Sequence, residues 1–123
     1  MNLNKIQKFK IKTKVESLTF YRLGIFKNTA YELVQLNANQ YYPPHLHKKS
    51  TAKLHIIYGS GIIILNKKRI KYKKGDVFLI KKRTYHSFKV KTPTLLFSIQ
   101  KPPIYNSKSK KVDVEYIKKI NWA

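Results

Sequence analysis

The sequence predicts an all-β sandwich or barrel, and three observations predict it. Apolar residues and lysines alternate near the start of the chain, and short runs rich in β-branched and aromatic residues then recur at close spacing as far as residue 100. Helical periodicity is missing, apart from a single turn near Val114–Lys119. In order, Phe9, Ile11, Thr13 and Val15 alternate with Lys8, Lys10, Lys12 and Lys14, which puts one apolar face on a core and one lysine face in water. Further strands are expected at 17–26, 30–36, 41–47, 53–58, 61–65, 69–73, 76–80, 85–91 and 94–100. Gly59-Ser60-Gly61 and Lys74-Gly75-Asp76 read as turns, with Asp76 a turn residue, and Asn66-Lys67-Lys68 as a short hairpin loop. Pro43-Pro44 and Pro102-Pro103 lack the amide that a ladder needs, so pairing stops there or sits on an edge. The polar segment from Tyr105 to Lys111 reads as a solvated loop within a C-terminal arm, 104–123.

Of 123 residues, 42% are hydrophobic, enough for one core but not for two, so residues 1–123 are expected to form a single domain. Twenty-seven Lys and Arg against five Asp and Glu give a net charge of +22, yet the apolar share is too high for a disordered basic tail. The absence of cysteine excludes a disulfide framework, a thiolate zinc site and a cysteine nucleophile. The first residues never develop the apolar stretch of a signal peptide, and the longest aliphatic run, Ile62 to Leu65, is far short of a membrane helix. A cytoplasmic protein without a membrane partner is expected. The lysines alternate with core positions along most strands, so solvated outer faces account for much of the charge. Nucleic-acid binding through it would be electrostatic, salt-sensitive and sequence-blind, and is not the favoured reading.

The four histidines are the most informative residues. His45 and His47 are one residue apart, so a strand points both imidazoles to the same face, roughly 7 Å apart along the backbone. His86 follows a strand and a short loop and can return to that face from a neighbouring strand. His55 lies at odd distance from position 52 and falls on the opposite face, as a packing or interface residue.

His45-Leu46-His47 is followed after four residues by Ala52 and after six more by Gly59; Gly75 is followed after five residues by Lys81-Lys82-Arg83 and after two more by His86. Fifteen residues separate Gly59 from Gly75. These two blocks resemble the paired motifs of the cupin superfamily, at the spacing of its small single-domain prokaryotic members, and Phe97 to Pro103 resembles the closing strand of such domains. The likeness spans 41–103 and implies a cupin jelly-roll, a β-sandwich or barrel of roughly eight to eleven strands. It implies a pocket in which His45, His47 and His86 bind a metal ion. The chain departs from the family at Ala52, where the metal-binding glutamate stands, at Lys81 and Arg83, where proline and glycine are usual, and at Asn39, the usual leading glycine.

Three-histidine sites occur in the superfamily, among them those of thiol dioxygenases. Such a site here would hold Fe, Zn, Ni or Cu through neutral nitrogens, with no carboxylate to offset the ion's charge, and so favours a small anionic substrate or a bound hydroxide. A dioxygenase-type or isomerase-type metal-dependent enzyme follows as the first reading. Tyr41, Tyr85 and Gln100 are candidate catalytic or substrate contacts, and Lys81 and Arg83 join them if they line the pocket mouth. A second reading is metal-free: His45-Leu46-His47-Lys48 and Gly59-Ser60 resemble sugar-nucleotide 3,4-ketoisomerases, with His45 or His47 as general base and Tyr41, Tyr42, Tyr58 or Tyr85 as acid. A third is a non-catalytic binder of an anionic ligand or nucleic acid through the basic surface, the pocket being a relic. Glu16 or Glu32 could supply the missing carboxylate, though a paired surface charge is the expected role of each. A homodimer is expected, because exposed sheet edges associate.

Overall fold

The computed structural model describes residues 6–12 and 17–116. The strands are β1 (Gln7–Lys12), β2 (Ser17–Phe26), β3 (Thr29–Leu36), β4 (Tyr41–Leu46), β5 (Thr51–Tyr58), β6 (Gly61–Leu65), β7 (Lys68–Tyr72), β8 (Val77–Ile80), β9 (His86–Val90), β10 (Thr94–Lys101), β11 (Tyr105–Asn106), β12 (Lys111–Val112) and β13 (Glu115–Tyr116). One sheet runs β1-β2-β3-β10-β5-β8 and the other β13-β4-β9-β6-β7, while β11 and β12 form a separate small hairpin. Every pairing is antiparallel. Alternation decides what lies between the sheets: Leu36, Leu54, Ile56 and Leu96 of the first sheet meet Tyr42, Ile63, Phe88 and Val90 of the second. Each such fully buried aliphatic or aromatic side chain contributes about 1.5–3 kcal/mol. Among the described residues, no helix is long and apolar enough to cross a membrane.

The turns follow from backbone chemistry. Lys27-Asn28 and Asn66-Lys67 close two-residue hairpins with φ of 50° and 59°, and 46° and 72°, the positive values whose twist matches flanking strands. Gly59 has φ +109°, and a Cβ there would collide with Thr94 and the Pro93 carbonyl, so no other residue fits. Asn39 and Arg83, at two positions where the motifs that the sequence resembles carry glycine, have φ of 60° and 66°. The glycine preference there is a demand of the backbone, which asparagine meets easily and arginine at some cost.

Two details place the site. Between the pairs Tyr42↔Phe88 and His45↔His86, Pro43 and Pro44 oppose a single residue, so the ladder is interrupted at the prolines and the strand bulges. Directly beyond, His45 and His86 are cross-strand partners. At the other end of the chain, Glu115–Tyr116 is a short strand paired with β4 through Leu46 and His45, not part of a helical turn as expected. Ile117 to Lys119, along with Thr13, Val15 and Glu16, lie outside the described residues. The segment after Tyr105 is exposed at its tip, as expected, but its ends pair as β11 and β12 and fold back over the sandwich.

Candidate metal centre

His45 is the penultimate residue of β4, His47 follows the strand, and His86 opens β9, so three imidazoles from adjacent chain segments meet inside the sandwich. Their ring centres lie 4.2 Å apart for His45 and His86, 5.0 Å for His47 and His86 and 5.2 Å for His45 and His47. One ligand nitrogen from each falls within 4.8 Å of the others. An ion about 2.1 Å from each nitrogen needs separations of roughly 3–3.4 Å, so the cluster fits one ion after a modest contraction.

Hydrogen bonding decides which nitrogen is free. His45 Nδ1 lies 2.9 Å from the Pro43 carbonyl, His47 Nδ1 2.6 Å from the Asp113 carbonyl, and His86 Nδ1 3.0 Å from the Thr84 carbonyl. A carbonyl only accepts, so the network assigns the proton to Nδ1 in each ring and leaves each Nε2 with its lone pair. Burial pushes the pKa of His45 down to about 4, and the neighbouring His47 adds to the shift. Burial likewise lowers His47, against the raising effect of Asp113, and lowers His86 well below the ordinary value, with His45 and His47 contributing. All three are neutral at pH 7 with one nitrogen open, the state in which imidazole ligates a metal.

The cluster lies in the wall of a cavity of about 130 Å³ lined mainly by apolar side chains, among them Phe20, Val34, Leu54, Phe88 and Leu96. Its second polar group is built differently. Glu32 Oε2 accepts from Arg22 Nε at 2.8 Å and pairs with Arg22 Nη2 at 2.6 Å, while its Oε1 accepts from Gln100 Nε2 at 2.7 Å. Gln100 Nε2 also reaches Ser98 Oγ, and its Oε1 accepts from the Ile104 amide. Glu32 is therefore paired, but buried rather than on the surface, with an exposure of 3%. Its carboxylate is not part of the histidine cluster.

The remaining expected contacts are distributed by strand geometry. Gln100 lines the cavity. Tyr41 is exposed on the other side of β4 with the Lys89 ammonium over its ring; the proline bulge puts Tyr42 in the cavity instead. Tyr85 precedes His86 and is absent from the cavity lining, as is Tyr58, which is exposed at the end of β5. Lys81 and Arg83 are exposed and do not line the cavity, although the Arg83 amide donates to the His47 carbonyl. Ala52 is core, and His55 lies on the outer face against Phe97. Asp76 accepts from the Lys73 amide, the turn role expected of it.

Sequence reasoning missed Asp113. Its carboxylate accepts from the amides of Lys48, Lys49 and Ser50, and its own carbonyl holds His47 Nδ1. Partial burial raises its pKa, but those amides and His47 outweigh it and the net shift is down. It also missed the cover: Ile104, Tyr105, Val112, Val114 and Tyr116, all from the C-terminal arm, line the cavity. The available signal was scarcity, since an acid in so basic a chain stands out; its partner, 66 positions away, gave none.

The family model described as the cupin domain matches residues 32–99. The chain belongs to the cupin family. No curated protein matches it. Solved structures show this cupin's fold at low identity. A Streptomyces PAC13 variant with uridine superposes with a TM-score of 0.68 at 13% identity, over 99% of this chain and 96% of that one. A predicted oxalate decarboxylase from Thermotoga maritima gives 0.66 at 16%, over 80% and 95%. A salicylate 1,2-dioxygenase variant from Pseudoaminobacter salicylatoxidans, in complex with gentisate, gives 0.60 at 23%, over 72% of this chain but only 24% of the dioxygenase.

Proposed function

We propose that this cupin binds one divalent transition metal through Nε2 of His45, His47 and His86 and uses it to capture a small carboxylate in the adjoining cavity, as a metal-dependent enzyme of dioxygenase or isomerase type. The observation that carries the reading is the tautomer set: three backbone carbonyls hold three Nδ1 protons, leaving three open nitrogens in one place. When bound, the ion supplies an uncompensated positive charge and open positions for an anionic oxygen. The protein contributes the rest. Among the described residues no lysine or arginine lines the cavity, so none of these side chains competes with the metal position for a carboxylate. The apolar walls exclude water and grip a flat or aliphatic body.

Size separates this reading from the sugar-nucleotide one. About 130 Å³ is close to the roughly 150 Å³ of an engineered cavity that takes benzene, and favours a small acid over a nucleoside diphosphate sugar. A histidine with its pKa near 4 is also a weak general base at neutral pH. Gentisate, bound by the dioxygenase that shares the fold, is of the size this cavity accepts. The test is the cobalt(II) form of the protein, whose visible absorption reports the ligands of the ion. Gentisate, salicylate and oxalate are each titrated in. The expected result is a saturable spectral change with at least one of them, absent in His86→Ala; no cobalt spectrum at all, or one indifferent to every acid, would overturn the proposal.

A further inference from the structure

The net charge of +22 has no part in the metal reading, since the lysines stand outside the cavity. We propose that a groove on the outer face of the second sheet binds the phosphate backbone of single-stranded nucleic acid, through Lys71, Lys89 and Lys91, with Tyr41 beside it as a stacking platform. The groove is open to solvent, has a volume of about 470 Å³ and is lined by Ser60, Gly61, Ile62 and the three lysines together with Tyr72 and Val90. Register explains why the cations meet there. Lys71 of β7 and Lys89 of β9 both pair with Ile62 of β6, one from each side, and Lys91 lies two residues beyond Lys89. Tyr41 is the partner of Lys89 on β4, so one outward row runs Tyr41, Lys89, Ile62, Lys71.

The described carboxylates are committed elsewhere. Glu32 pairs with Arg22 and Glu115 with Lys48, while Asp113 accepts from the amides of Lys48, Lys49 and Ser50, and Asp76 from that of Lys73. Three like charges therefore line one concave surface with no acid among them, which focuses the field on an incoming anion. Four adjacent strands about 4.8 Å apart give the row a length of roughly 14 Å, so it meets a chain of phosphates rather than a lone ion. The ring selects among polyanions. Tyr41 is 44% exposed, with the Lys89 ammonium 5.9 Å from its centre, and an aromatic face beside a cation is the arrangement on which a base stacks while its phosphate is held. A membrane would ask for exposed aliphatic residues among the lysines, and Ile25, Ile57, Val77 and Leu79 all stand on the first sheet.

Fluorescence anisotropy of a labelled oligo(dT) with the full chain, across a salt series, tests this. The expected result is an affinity that falls steeply with salt. In the triple variant Lys71→Ala, Lys89→Ala, Lys91→Ala, the slope of log K against log salt should be shallower by about 2, from three contacts at roughly 0.7 each, and affinity should fall by tenfold or more. Tyr41→Ala should cost about tenfold. A control variant, Lys8→Ala, Lys10→Ala, Lys53→Ala, removes the same charge from exposed positions on the first sheet and should lose less than about threefold. Circular dichroism checks that each variant is folded. Equal losses in the two triple variants would overturn the proposal, because the charge would then act without a site, and so would an affinity indifferent to Tyr41→Ala. No binding at low salt would also overturn it, and capture by phosphatidylserine vesicles instead would make the groove a membrane face.

Discussion

The cavity of this cupin holds two buried polar groups, and they are finished in opposite ways. Around Glu32 the acceptors are closed, with both carboxylate oxygens taken by Arg22 and Gln100 and the glutamine oxygen by the Ile104 amide, and only the buried Arg22 Nη1 is left without a hydrogen-bond partner. Around His45, His47 and His86 one nitrogen of each ring is tied to a carbonyl and the other is left open. Burial of a polar side chain is therefore not what marks a ligand site here. A closed network holds the fold together, and an open one is prepared to receive something.

The largest way to break that contrast is Glu32→Ala, which leaves the Arg22 guanidinium buried without its counter-charge. Urea unfolding should show a loss of about 3–5 kcal/mol, while the metal bound per folded molecule stays the same. A variant that kept its stability but lost its metal would reverse the two roles. Next comes Asp113→Ala. Three amides lose their acceptor at a partly exposed site, so the expected cost is about 1–2 kcal/mol. The loosened strap should also lower metal affinity by about tenfold, because it carries the carbonyl that orients His47, and competition with a chelator measures this.

An effect at least comparable is expected on acidification of the metal-free protein. The three histidines have folded pKa values below 6.5, about 4 for His45, so between those values the unfolded chain binds more protons than the folded one. Stability is then fully present above about pH 6.5 and is lost as the pH falls toward 4. Urea midpoints at pH 7.5 and pH 5 check the sign, and His45→Gln should flatten the difference. The smallest effect is at Arg83, whose φ of 66° suits glycine: Arg83→Gly should gain about 0.5–1 kcal/mol in thermal unfolding. A loss there would show that the exposed side chain makes a contact worth more than the backbone cost.

The same contrast explains what could be read from the sequence. Strands were legible because apolar residues alternate, and the three histidines because their spacing fills fixed positions of a known pair of motifs. Regular alternation would put 41, 45 and 47 on one face; the bulge at Pro43-Pro44 breaks that count and brings Tyr42 to the cavity in place of Tyr41. Glu32 looked like a surface charge because its partner Arg22 sits on β2, where nothing local shows that both point inward. Asp113 and the covering arm depend on contacts made only after the chain closes on itself. Lys81 and Arg83 were legible as departures from the family, and the structure supplies a backbone reason for one of them while placing both outside the cavity.

The most direct test of the central claim is elemental analysis of the untagged protein after loading with zinc and desalting, carried out side by side on the native chain, Glu32→Gln and His86→Ala. One zinc per chain in the first two and almost none in the third is the expected result. Equal zinc in all three, or none in the native protein, would contradict the account.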